Sequence, residues 1–172
     1  QKIKNIKDTE LSEEPGSYSS SGFSKDNKYF FFITDKGKEF SYLVKYEIDT
    51  GEEEVLFQTN WDVMYSYLSE NEKYRVIAIN EDGKNTLFIK DLFNNSDVYF
   101  PEIPDGDIKG ASFSESENKI RLTIGTSKSP NNIYVYDMIS KELKKLTETF
   151  LIKPNYNIFL YIWNYKLENR HS

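Results

Sequence analysis

The chain has 172 residues, room for one domain with a sizeable core, and it is dense in aromatics, with 13 Tyr, 12 Phe and 2 Trp. Its formal net charge is -6, which argues against non-specific binding to nucleic acid, because that needs a basic footprint. It has no cysteine, which excludes disulfides, thiolate metal sites and a cysteine nucleophile but suits a periplasmic and a cytoplasmic home equally.

No apolar run reaches the ~18 residues of a membrane-spanning helix, so no membrane span is expected. Lys and Glu are interleaved, as on a solvated surface. The chain opens at Gln1 without Met, which suggests that a leader or upstream sequence has been removed. The Lys, Asn, Ile and Tyr bias points to an AT-rich bacterial genome.

In chain order, residues 1–16 read as the outer strand of a preceding or closing blade. A first unit covers 17–59. A segment at 17–23 leads to Phe23-Ser24 and the polar turn Lys25-Asp26-Asn27-Lys28. An apolar run at 29–34, a turn at 35–38, a run at 42–48, the turn Asp49-Thr50-Gly51 and a run at 54–57 predict three further strands. The second unit, 60–104, repeats the order: 63–68, Leu68-Ser69, a run at 74–79, the turn Glu81-Asp82-Gly83-Lys84, a run at 87–92, and an outer strand at 98–100. Asp-Gly in that turn suits a type I′ hairpin. The third unit, 105–149, brings 108–113, Phe113-Ser114, 120–124, 133–138 and 143–146. Residues 150–172 read as a partial fourth blade or an aberrant tail.

The anchors recur every 45 residues (23 to 68 to 113), and a second landmark, Glu47, Asp91 and Asp137, keeps the register. A period of roughly 40 to 50 residues made of short strands is the mark of a β-propeller. The expected fold is all-β: three four-stranded antiparallel blades plus partial units at both ends. The first and last units start and stop in mid-blade, which favours an incomplete propeller over a small closed ring. Open blade faces predict self-association.

Chemistry is sparse. The strained Gly-x-Ser-x-Gly elbow is missing, the serines of 16–22 lack that spacing, and the single histidine, His171, sits at the end of the chain, so no catalytic residue is assigned. No loop has the ligand pattern of a calcium site or a phosphate-binding loop, so no metal and no cofactor is implied. Asp35-Lys36-Gly37 and Glu81-Asp82-Gly83 are hairpin turns. Glu52-Glu53-Glu54 reads as a charged, protected strand edge. Four residues are candidates for binding. Trp61 and Tyr65 lie between the first two units, where exposed aromatics suit peptide recognition and packing between blades is the competing use. Asp105 and Asp107 lie in a loop between units, where propellers often meet ligands.

The unit pattern, Phe-Ser-x-Asp-x-Lys, an apolar run, a hairpin and an outer turn such as Glu47-Ile48-Asp49-Thr50-Gly51, closing on Leu146-Thr147, resembles the propeller domain of the prolyl oligopeptidase family of serine peptidases, and also TolB-like propellers. The segment from Thr126 through Pro130 to Tyr134 is similar to one in the last blade of such peptidases. The resemblance covers residues 20–149. It implies a non-catalytic propeller that gates or orients peptide substrate for an α/β-hydrolase domain carried elsewhere. It implies as partners a peptide or protein, or that hydrolase domain. The alternatives are a free-standing TolB-like propeller that binds a protein, and a small propeller enzyme acting through channel-facing carboxylates.

Overall fold

The repeat rests on one turn written three times. The computed structural model describes residues 15–103, 106–126 and 130–149. In each unit the backbone N–H of the anchor serine (Ser24, Ser69, Ser114) donates to the carbonyl of Tyr29, Tyr74 or Lys119, at 3.0, 2.8 and 2.9 Å. The serine Oγ accepts the N–H of the same residue, at 3.0, 2.9 and 3.2 Å. Asn27, Glu72 and Glu117 close the turn at positive φ of 58°, 56° and 57°. Asn tolerates that left-handed conformation readily and Glu does not. The two glutamates are therefore held there by something else, described below.

Each turn feeds a four-stranded antiparallel meander in which sequence neighbours pair. Blade one is β1 (Tyr18–Phe23), β2 (Tyr29–Thr34), β3 (Tyr42–Glu47) and β4 (Glu53–Phe57). Blade two is β5 (Asp62–Leu68), β6 (Tyr74–Glu81), β7 (Lys84–Asp91) and β8 (Ser96–Asp97). Blade three is β9 (Asp107–Phe113), β10 (Lys119–Gly125), β11 (Asn132–Asp137) and β12 (Leu143–Lys145). The hairpin after β6 is type I′ in its signs, with φ of 49° at Asp82 and 79° at Gly83. The fold is thus all-β, a run of three propeller blades. The expected partial units fall on residues 1–14 and 150–172, outside the described residues, as does Asp105.

The acidic landmark of each unit caps the outer turn. Asp91 Oδ1 accepts the N–H of Phe93 and Asn94 at 2.9 and 3.0 Å. Asp137 Oδ1 accepts those of Ile139 and Ser140 at 2.9 and 3.0 Å. In blade one Glu47 instead accepts the Thr50 hydroxyl at 2.8 Å.

One strand differs from expectation. The outer strand of blade two is only Ser96–Asp97, not 98–100. Val98 still donates its N–H to the Ile89 carbonyl of β7 at 2.8 Å, and from there the chain turns off the sheet edge to fill the gap to blade three. Val98 and Phe100 pack on the core there, and Phe100 meets the Tyr136 ring edge-on at 5.4 Å. Burying an aromatic ring outweighs a few ladder hydrogen bonds at an exposed edge.

Two apolar seams hold the blades together. Between blades one and two lie Ile33, Leu43, Val63, Ile77 and Ile79. Between blades two and three the seam is larger and includes Val76, Ile89, Ile120, Leu122, Ile124 and Tyr136. Along β2 the side chains alternate. Phe31 and Ile33 face blade two, while on the other side the Phe32 ring lies 6.1 Å from Phe30 and 5.8 Å from Tyr18. No strand of blade one touches a strand of blade three, so the described residues form an open row, not a closed ring.

Polar clips repeat along the same seams. Glu72 Oε1 accepts the N–H of Lys25 in the blade before it, and Glu117 Oε1 that of Asn71, both at 2.6 Å. These bonds explain the glutamates at positive φ: each reaches back to cap its neighbour's turn. Asp62 and Asp107 form a second clip, accepting the N–H of Ser41 and Asn85 at 3.0 and 2.7 Å. The Ser41 and Asn85 side chains return a bond to the carbonyls of Val63 and Ile108 at 3.0 and 3.1 Å.

Candidate functional site

The first strand of each blade carries a β-bulge that leaves one residue outside the ladder. That residue is Ser21 between Ser20 and Gly22, Met64 between Val63 and Tyr65, and Lys109 between Ile108 and Gly110. Bulges bend a strand and re-aim its side chains, and they are frequent beside functional sites. Ser21 uses its position to join two blades, its hydroxyl donating to the Ser66 carbonyl at 2.6 Å. Met64 is exposed to solvent.

Trp61 precedes β5. It is 37% exposed and leans on Phe40 of blade one at 6.4 Å. The Thr59 hydroxyl bridges this corner, donating to the Trp61 carbonyl and accepting its N–H at 3.0 and 3.1 Å. Part of the indole therefore packs between blades and part meets solvent.

Tyr65, just after the bulge, stacks on Tyr67 at 6.4 Å, and both pack on the seam with blade three. Their hydroxyls are buried and have no hydrogen-bond partner among the described residues. Desolvation raises the pKa of both phenols, and for Tyr67 the neighbouring Tyr65 adds to the rise. Both therefore stay protonated and are donors rather than nucleophiles. A buried hydroxyl without a partner costs about 1 to 3 kcal/mol, so this pair stands out as a place where an acceptor would be welcome. Tyr67 was missed from sequence, although its two-residue spacing from Tyr65 along one strand was the available signal.

Asp107 opens β9. Beyond its clip to Asn85 it forms an ion pair with Lys109 at 2.6 Å. Burial opposes its ionisation, but these hydrogen bonds and the Lys109 charge outweigh that and lower its pKa. The structure brings Trp61 and Tyr65 onto one segment of blade two and Asp107 onto the next blade. Asp105 lies outside the described residues. No group of three or more potential metal ligands occurs among the described residues, and His171 lies outside them.

Three meanders, packed face to face with the same clips at each seam, define a segment of a β-propeller. The chain belongs to the prolyl oligopeptidase family: the family model for its N-terminal β-propeller domain matches residues 13–149. No curated protein matches it in sequence. Solved structures are similar in fold. TolB from Acinetobacter baumannii is 19% identical, with a TM-score of 0.53 over 75% of this chain and 32% of that one. A putative TolB from Agrobacterium tumefaciens is 15% identical, with a TM-score of 0.58 over 78% and 50%. A puromycin-hydrolyzing peptidase from Mycobacterium tuberculosis is 12% identical, with a TM-score of 0.60 over 81% and 22%. The chain thus spans half or less of the length of each of these structures.

Proposed function

We propose that this chain is the non-catalytic propeller portion of a prolyl oligopeptidase-like serine peptidase, and that it gates or orients peptide substrate for a hydrolase domain. The observation that carries the reading is the family match, which runs through all three blades. The side-chain chemistry is in keeping with it. Ser21, Asp62 and Asp107 each spend a side-chain hydrogen bond on joining neighbouring blades.

On this reading the solvent-facing part of Trp61 offers aromatic surface to a passing peptide, and Tyr65, whose hydroxyl is buried, shapes the segment that carries it. Asp105 and Asp107 would add negative charge at the entry to blade three. Hydrolysis itself would need a nucleophile, a base and an oxyanion hole from another domain.

The test is an immunoblot of source cells with an antibody against this chain, after labelling with a serine-reactive fluorophosphonate. The expected result is a labelled band heavier than the chain by a domain of about 250 residues. An unlabelled band at the mass of the chain alone would overturn the reading and favour a free-standing, TolB-like binding propeller.

A further inference from the structure

Blade two departs from the repeat at one cross-strand pair. In blade three that pair is Ile120 opposite Tyr136, both 0% exposed, which plug the seam toward blade two. At the same place, one residue past the Tyr74–Asp91 pair as Ile120 is one past Lys119–Asp137, blade two has Arg75 opposite Lys90. Where the blade-three pair fills space, the blade-two pair lines a cleft of about 610 Å³ between blades one and two. Phe31 and Phe57 line one side and Ile77 and Phe88 the other, with the Phe57 and Phe88 rings 5.2 Å apart.

Arg75 is only 5% exposed. Its guanidinium lies over the Phe31 ring at 4.0 Å and donates to Ser66 Oγ at 3.4 Å. Burial pulls its pKa down to about 10, with Glu72 opposing, so it remains charged at neutral pH. No ion pair among the described residues includes Arg75 or Lys90. Lys45, on the blade-one wall, is already paired with Glu54. The charged lining is Lys45, Arg75 and Lys90 against Glu54 and Asp97, one positive charge in excess, within a chain of net charge -6. Like charges placed opposite each other across two strands destabilise a sheet, and a buried guanidinium with one long hydrogen bond is costly. An anion in the cleft would relieve both.

We propose that this cleft binds a small monocarboxylate with an apolar body, the carboxylate on Arg75 and Lys90 and the body against Phe31, Phe57 and Phe88. The guanidinium fork matches a carboxylate in two parallel hydrogen bonds. The cleft volume lies within the ~300 to 1,000 Å³ of small-molecule sites, which selects a small ligand over a folded partner. Glu54 and Asp97 stand against a second negative charge. The site lies between two blades and is independent of the peptide-gating reading.

Calorimetric titration of the whole chain with 4-phenylbutyrate, and with 4-phenylbutanol as the uncharged match, tests it. Binding of the acid is expected, with the alcohol weaker by about tenfold or more, the loss expected for a charge-assisted hydrogen bond. Lys90→Glu provides a second readout that does not depend on losing the fold. It sets a carboxylate of the chain's own opposite both Arg75 and Asp97, so the melting temperature should stay near that of the unchanged chain while binding of the acid is abolished. Equal affinity for acid and alcohol, no binding of either, or a Lys90→Glu chain that binds the acid as the unchanged chain does would each overturn the proposal.

Discussion

The two seams of this propeller segment are built from the same repeat and have different characters. The seam between blades two and three is filled at its centre, with Ile120, Leu122 and Tyr136 fully buried and the Tyr136 hydroxyl donating to the Tyr99 carbonyl at 3.1 Å. The seam between blades one and two has fewer buried apolar residues, a buried arginine and a cleft. The serine turns and the glutamate and aspartate clips are alike at both. The contrast therefore lies in what fills the space between clips. A repeat keeps its backbone register through local turns and polar clips, which leaves individual seam positions free to exchange packing for a site.

The largest expected effect comes from giving the filled seam the open seam's residue. Ile120→Arg buries an unpaired charge with no cleft to receive it and should cost more than about 4 kcal/mol, read by urea unfolding. A cost below about 1 kcal/mol would mean that the filled seam has room to relax. The reverse exchange, Arg75→Ile with Lys90→Tyr, copies the blade-three pair into blade two. It should stabilise the chain by about 2 kcal/mol, because apolar residues often outperform a buried charge. A loss of stability would show that the cation–π contact of Arg75 with Phe31 holds that seam.

The clips should give smaller and graded effects. Glu117→Ala leaves the Asn71 N–H without its acceptor at a buried site and should cost about 2 kcal/mol. Glu72→Ala acts at the more exposed seam and should cost about 1 kcal/mol. Equal costs would argue that burial of the clip does not matter. Either substitution also removes a glutamate from a positive φ, which Ala tolerates no better.

The smallest effect is one of pH. The Lys119 ammonium, then the N–H groups of Ser140 and Ile139, lower Asp137 from its ordinary 3.8 to about 2. A depressed folded-state pKa gives stability that is present above the unfolded value and lost as pH falls through the folded one. The contribution of Asp137 should therefore fade between about pH 4 and pH 2. Asp137→Asn should flatten the acid limb of a stability–pH curve in that window. An unchanged limb would place the acid sensitivity elsewhere, for instance at the Asp26, Asp91 and Asp107 carboxyls, whose pKa values are also lowered.

Much of the fold was legible because its signals are local. Phe23-Ser24, Leu68-Ser69 and Phe113-Ser114 mark turns whose hydrogen bonds close within five residues. The outer acids Asp91 and Asp137 cap turns two and three residues ahead. The outer strand expected at 98–100 shows the limit: Val98 keeps one bond to Ile89, but packing against Tyr136 draws Phe100 away from the sheet edge. The candidate site was less legible. Trp61 and Tyr65 were visible as aromatics between units. The bulge at Met64, the orphaned hydroxyls of Tyr65 and Tyr67, and the sharing of Trp61 between Phe40 and solvent depend on neighbours in other strands.

By itself the sequence determined the repeat, the strand order within each blade and the turns that set it, because hydrogen bonds and φ preferences over a few residues decide those. Only the tertiary structure decided which blade faces meet, where Glu72 and Glu117 reach, and that Arg75 faces a cleft while Ile120, at the same place in the next unit, plugs a seam. Those outcomes turn on atoms about one repeat away in the chain, as in the Ser21–Ser66 bond across 45 residues, and on whether the facing side chains fill the space between sheets.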